Sequence, residues 1–364
     1  MTGGDGEADG GIGPARPVAP TAVRTVAVIG TGVIGGGWAA HFLRMGLDVS
    51  AYDPQPGAEG RLRRAIEEAW PTLARLGLSS GASPARVRFT NELAAALEGA
   101  DFVQESTPEA AEAKTEVLTE LDRLTPEGVV IASSTSGFSM TMLQKDCRHP
   151  ERTVIGHPFN PPYLVPLVEV VGGERTAPDV VDWAVATYEH LGKYAMRLER
   201  ELPGFVANRL QEALWREALH MVAAGEATVE EIDAAVAQGP GLRWALMGPC
   251  LTFHLAGGPG GMGHMLDHFG AALLEPWTRL EAPELTTELR DRMVKGCLHE
   301  AGGRSIAELE RQRDDFLVEL LDLVRRNRER YEPGGEAGAQ TAGASGAGEA
   351  RAANAPVFTH PRGS

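Results

Sequence analysis

The chain has 364 residues, 43% hydrophobic and 23% charged. That is an ordinary composition for about two domains whose core needs neither disulfides nor metals. Its 34 basic residues against 50 acidic ones leave a net charge of −16, which argues against nucleic acid or an anionic membrane surface as partner and slightly favours cationic or zwitterionic ligands.

Residues 1–22 are rich in Gly, Pro and Ala, lack the basic start and apolar stretch of a secretory signal, and read as a disordered arm. From there strand and helix signals alternate. RTVAVI (Arg24–Ile29) is a β-branched run ending in glycines, and Val33–Met45 is small, apolar and helically spaced. Val49–Tyr52 reads as a strand and Gly57–Leu76 as a long polar helix. Further strands are predicted at Arg86–Phe89, Asp101–Gln104, Val129–Ala132, Thr153–Ile155, Leu167–Val171 and Tyr194–Leu198, with helices at Asn91–Leu97 and Ala110–Leu124. This alternation implies βαβ units in a doubly wound, mostly parallel sheet over residues 23–202. After Pro203 the apolar residues recur at helical spacing, as in Leu210, Leu214, Ala218 and Met221, with no convincing strand. Residues 203–331 therefore read as an all-helical domain, and 332–364 as a disordered Gly/Ala-rich tail. No apolar run reaches the roughly 18 residues of a membrane span. Cys147, Cys250 and Cys297 stand alone without CxxC spacing, which argues for a reducing cytoplasm and against a disulfide framework or a zinc site.

Two constellations carry chemistry. Gly30-Thr31-Gly32-Val33-Ile34-Gly35 is GxGxxG placed directly after a strand and at the start of a helix. Gly30 permits the turn, Gly32 lets backbone approach a pyrophosphate, and Gly35 lets helix pack on strand. The phosphates then sit on unpaired N–H groups at the helix N-terminus. Asp53 ends the next strand with Pro54 and Gln55 behind it, so a carboxylate without a neighbouring cation favours NAD over NADP. The second constellation lies at the carboxyl ends of later strands, where such sheets bind ligands. His157 in HPFNP is followed by Glu169 in Leu167–Val171, and a strand that folds back would set the carboxylate against the imidazole. Such a pair suits removal of a proton from an alcohol while hydride leaves its carbon. From spacing alone His157 reads equally as a structural histidine in a proline-rich turn. His254, His264 and His268 lack a carboxylate or thiolate at a regular offset, so no metal is expected.

GTGVIGGGWA (30–39), QESTPE (104–109), SSTSG (133–137), HPFNPPYLVPLVEVVGG (157–173) and ELPGFVANRLQEALWREA (201–218) together resemble the 3-hydroxyacyl-CoA dehydrogenase superfamily. The resemblance spans about residues 23–325 and implies a Rossmann-type NAD domain followed by a helical domain that forms homodimers. It implies His157 as catalytic base and Glu169 as its partner, with Ser136 and Asn208 hydrogen-bonding the reacting oxygen. Glu105 and Lys114 match positions near the nicotinamide half of the cofactor. Ser134 stands where acyl-CoA members carry Asn. GLRWALMGP (241–249), LAGG (255–258) and AGGRSI (301–306) resemble the branch acting on L-carnitine and L-gulonate, and the carnitine-oxidising members most.

That branch implies oxidation of the 3-hydroxyl of L-carnitine to 3-dehydrocarnitine. The alternatives are the same chemistry on L-gulonate or a short 3-hydroxyacyl-CoA, or a crystallin-like protein that binds NAD without catalysis. A trimethylammonium group donates no hydrogen bonds and is held on aromatic faces. Phe159, Tyr163, Trp244 and Phe253 are the candidate walls, and Arg243 is a candidate partner for the substrate carboxylate.

Overall fold

The structure, a computed structural model, describes residues 17–331 apart from 246–247, 270–277, 279–280, 282–283 and 285. The arm before residue 17, the tail 332–364, and Leu246 and Met247 of the 241–249 motif lie outside the described residues. The chain divides into a unit ending at Val318 and a unit from Glu319 onward.

An eight-stranded sheet organises the first unit in the order β3-β2-β1-β4-β5-β6-β7-β8. In chain order the elements are β1 Thr25–Ile29, α1 Val33–Arg44, β2 Asp48–Tyr52, α2 Ala58–Leu76, β3 Val87–Thr90, α3 Leu93–Leu97, β4 Phe102–Glu105 and α4 Ala111–Leu124. Next come β5 Val130–Ser133, α5 Met140–Leu143, β6 Thr153–Pro158, β7 Leu167–Val171, α6 Pro178–His190 and β8 Tyr194–Arg197. The neighbours from β3 to β6 run parallel, β7 lies antiparallel to β6, and β8 is parallel to β7.

Helices cover both faces of a parallel sheet, so its strands are buried on both sides. The period-two alternation shows this directly. Val26 and Val28 of β1 join one core cluster with Trp38, Phe42, Phe102 and Tyr188. Ala27 and Ile29 join the other with Val103, Leu118 and Ile131. Helix α2 buries Leu62, Ile66, Ala69 and Leu73, one stripe at helical spacing, while its Arg and Glu residues face water. Residues 17–22, read from the sequence as part of the arm, are ordered. They form a 3₁₀ turn at Pro20–Ala22, and the Trp183 indole N–H donates to the Val18 carbonyl at 2.5 Å. Helix α6 has no counterpart among the sequence-derived elements, because its apolar positions are interrupted by Asp179, Asp182 and Thr187.

Beyond residue 200 the described elements are helical: α7 Ala207–Ala224, α8 Val229–Gln238, α9 Gly241–Trp244, α10 Pro249–Ala256, α11 Gly261–Phe269, α12 Thr287–Ala301 and α13 Ile306–Tyr331. Val222, Val229 and Leu289 form a small core joining α7, α8 and α12. Helix α8 starts at a capping box, with Thr228 and Glu231 each satisfying the other's backbone N–H.

Candidate active site

The strand order reverses between β1 and β4, and in such sheets the carboxyl ends of the strands at that point form the ligand-binding crevice. Register brings the ends into line: Ile29 pairs with Glu105, and Glu105 with Ser133. Gly30 follows β1 at φ +87°, and a Cβ on it would stand 2.7 Å from the Ser106 carbonyl oxygen. A Cβ on Gly35 would fall 1.8 Å from the Gly30 carbonyl oxygen, whereas one on Gly32 would meet no atom within 4 Å. The first and third glycines therefore close the turn against β4, and the second faces open space. Helix α1 begins with no side-chain cap on its first N–H groups, which suits an anion held by backbone and dipole. Asp53 reaches this loop: its Oδ2 accepts from the Thr31 N–H at 3.0 Å and from Thr31 Oγ1 at 2.9 Å. A glycine cradle, a bare helix N-terminus and an acidic residue beyond the second strand fit a dinucleotide. Gly30–Gly35 would hold its diphosphate and Asp53 its adenosine ribose.

His157 and Glu169 face each other across the antiparallel β6–β7 pair. Residues so opposed share one face of the sheet, and the imidazole Nδ1 lies 2.8 Å from Glu169 Oε2. Both side chains are buried. The other oxygen, Oε1, accepts from the N–H groups of Val206 and Ala207 at 2.9 and 3.0 Å. One carboxylate thus orients the imidazole and anchors the start of α7. Burial alone raises the Glu169 pKa, but the hydrogen bonds from His157, Ala207 and Val206 outweigh it and hold the pKa below the ordinary value. The Phe159 and Phe205 rings lie 5.0 and 5.2 Å from the imidazole. Phe205 is fully buried with φ +51°, a conformation rare for a residue with a side chain.

Asn208, on the first turn of α7, donates through Nδ2 to the Ser136 carbonyl oxygen at 3.2 Å. The structure therefore brings together His157 with Glu169, and Ser136 with Asn208.

Glu105 and Lys114 form a buried ion pair at the carboxyl end of β4. Lys114 Nζ lies 2.9 and 3.2 Å from the two Glu105 oxygens, and both side chains are 1% exposed. Thr107 and Ser133 occupy the remaining acceptor positions of Glu105. At the crevice edge stands Glu109, to which sequence reading gave no role. Its Oε1 accepts from Thr135 Oγ1, Ser136 N–H and Gly137 N–H at 2.7–3.0 Å, and its Oε2 lies 3.6 Å from Lys114 Nζ. The QESTPE motif contained Glu109, but only the return of the 133–137 loop shows what it holds.

Of the candidate aromatic residues, Phe159 alone makes a ring contact with His157 among the described residues. Tyr163 donates to Asp314 Oδ2 at 2.8 Å. Trp244 and Phe253 sit on the short helices α9 and α10, Phe253 is 52% exposed, and neither makes a ring contact among the described residues. Arg243 is exposed and has no ion-pair partner among the described residues. These helices pack on one another and on α8 and α11.

Residues 25–201 match the model of the 3-hydroxyacyl-CoA dehydrogenase NAD binding domain, and residues 204–297 that of its C-terminal domain. The chain belongs to the 3-hydroxyacyl-CoA dehydrogenase family. Membership makes it an NAD-dependent dehydrogenase built on a Rossmann-type sheet followed by helices, as the sequence predicts. It is 62% identical over 309 residues to a Streptomyces griseus protein named L-carnitine dehydrogenase, covering 85% of this chain and 92% of that one. A protein of the same name from Oceanobacillus iheyensis is 54% identical over 83% of this chain and 98% of its own length. Among solved structures, FHMPC 5-dehydrogenase, described as an NAD⁺-dependent dismutase, superposes with a TM-score of 0.73 at 31% identity, over 83% of this chain and 99% of that one. FadB2 from M. tuberculosis gives 0.58 at 28% identity, over 76% and 95%. No helix among the described residues is long and apolar enough to cross a membrane.

Proposed function

We propose that this dehydrogenase oxidises the 3-hydroxyl of L-carnitine to 3-dehydrocarnitine. The observation that carries the substrate is the identity of 62–64% to three relatives named L-carnitine dehydrogenase, over 82–85% of the chain. The buried His157–Glu169 pair supports the chemistry. With Nδ1 committed to Glu169, the imidazole is held in the tautomer whose Nε2 is free to accept a proton. His157 Nε2 takes the hydroxyl proton, the C–H bond breaks as hydride leaves, and the carbon–oxygen double bond forms. NAD, when bound, supplies the hydride acceptor. Glu169 stabilises the imidazolium that results. Ser136 and Asn208, tied to each other at the crevice, are the residues that hold the alcohol oxygen. Phe159 offers an aromatic face beside the base for the trimethylammonium group, a contact worth roughly 0.5–2 kcal/mol, and the net charge of −16 suits a substrate with a cationic head.

Absorbance of NADH at mildly alkaline pH, with L-carnitine, D-carnitine, L-gulonate and 3-hydroxybutyryl-CoA offered separately, tests this reading. Selective turnover of L-carnitine is expected. Turnover of L-gulonate or the acyl-CoA in its place overturns the substrate and leaves the base pair standing.

The working unit is a homodimer joined through the helical region that begins at residue 203, in the cytoplasm. Leu210, Leu214 and Trp215 form an exposed apolar face of α7, which a soluble monomer rarely leaves uncovered. Cys147, Cys250 and Cys297 are free thiols, which suits a reducing compartment. Light scattering at micromolar concentration is expected to give twice 38.7 kDa, and a single-chain mass sinks the dimer.

A further inference from the structure

The carboxyl ends of β4 and β5 carry two hydroxyls, on Ser106 and Ser134, that the scheme above does not use. Behind them lies a buried chain of hydrogen bonds whose direction is fixed at every link. Tyr188 is fully buried with its hydroxyl against Gly156, where any Cβ would collide with it. Burial raises its pKa, so it remains a donor, and it donates to Gln104 Oε1 at 2.6 Å. The Gln104 amide nitrogen then faces Ser134 Oγ at 2.8 Å and the Gly156 carbonyl oxygen at 3.5 Å. A flipped amide would set its oxygen against that carbonyl, so the nitrogen donates to Ser134.

The indole N–H of Trp38 also reaches Ser134 Oγ, at 3.2 Å. An indole nitrogen only donates, and the ring is held between Phe42 and Tyr188 at centroid distances of 5.1 and 5.5 Å. Two donors fill both lone pairs of Ser134 Oγ. Its single proton goes to the remaining neighbour, Ser106 Oγ, 2.9 Å away. Ser106 therefore accepts from Ser134, and its own proton leaves in another direction. Among the described residues that proton has no protein acceptor. Ser106 is half-buried at the lip of the glycine cradle, and its Cβ would stand 3.3 Å from a Cβ on Gly35.

We propose that Ser106 binds the cofactor, its hydroxyl held as a fixed donor toward the diphosphate–ribose part of NAD by the buried chain Tyr188–Gln104–Ser134. Ser106 would touch the cofactor, and Ser134 is a positioning residue acting through it. A lone serine hydroxyl rotates between donating and accepting. One whose acceptor side is already occupied is pre-set for phosphate oxygens or a ribose hydroxyl. The inference rests on the cradle as the NAD site and is independent of which alcohol is oxidised.

The test is calorimetric titration of the full-length chain with NADH and ADP-ribose, without substrate, so a failure to oxidise L-carnitine leaves it untouched. Ser106→Ala is expected to weaken NADH and ADP-ribose roughly tenfold, the size of one hydrogen bond to a charged group. Ser106→Thr, which keeps the hydroxyl, retains the affinity. Ser134→Ala alone gives the same loss, but adds nothing in the Ser106→Ala background, because both act through one bond. Wild-type NADH affinity in Ser106→Ala overturns the proposal. So does a Ser134→Ala effect that persists in full without the Ser106 hydroxyl.

Discussion

Replacing His157 by Gln is expected to lower kcat with L-carnitine by about 10²–10⁴-fold, the usual contribution of a positioned general base, while NADH affinity stays at the wild-type value. The reason is geometric. His157 lies at the end of β6 with its Nδ1 engaged by Glu169, and the glycine cradle and Asp53 lie beyond β1 and β2 on separate loops. A glutamine offers an amide in place of a base and leaves the cradle intact. Steady-state kinetics together with NADH titration separate the two effects. Near-wild-type kcat in the variant means another group takes the proton. Lost NADH affinity means that His157 supports the cofactor site instead.

Glu169→Gln is expected to cost a similar factor in kcat for a different reason. Its amide N–H₂ facing His157 Nδ1 forces that nitrogen to accept, which moves the ring proton to Nε2 and removes the base. The amide oxygen still receives the Val206 and Ala207 N–H groups, so the variant folds. Glu169→Ala strands both of those N–H groups, at about 1–3 kcal/mol each, and therefore lowers stability as well as rate. The pH dependence follows from the same contacts. The Glu169 pKa is depressed in the folded chain relative to an ordinary value of 4.5. Its stabilisation is present in full above the unfolded value and is lost as pH falls through the folded one. Denaturant midpoints measured from neutral pH downward are thus expected to fall less steeply for Glu169→Gln than for wild type below about pH 4.5. Identical slopes for the two proteins contradict that coupling.

Most of the sheet and the His157–Glu169 contact are legible in the sequence because local signals and long-range geometry agree there. β1, β2 and the glycine turn are short-range patterns, and the fold-back that opposes His157 and Glu169 is implied by two strands with a proline-rich turn between them. Antiparallel register then sets the two side chains against each other. Contacts that several segments make at once have no local signature. Glu105 ends a strand, and Lys114, Ser133 and Thr107 converge on it from three places in the chain. Glu109 was passed over because its partners arrive from the 135–137 loop. Residue type alone does not say that α9 and α10 pack with α8 and α11 while Phe253 stays half exposed. The direction of the Tyr188–Gln104–Ser134–Ser106 chain is likewise a property of contacts between strands, an inter-strand helix and the first helix, with no local signature.

Hydride transfer from L-carnitine is the central claim, and the most direct measurement uses L-carnitine deuterated at C3 as the only substrate. Mass spectrometry of the reduced cofactor is expected to find the deuterium in its nicotinamide ring, with 3-dehydrocarnitine formed in equal amount. Unlabelled NADH, or no reduced cofactor from L-carnitine at all, contradicts the account.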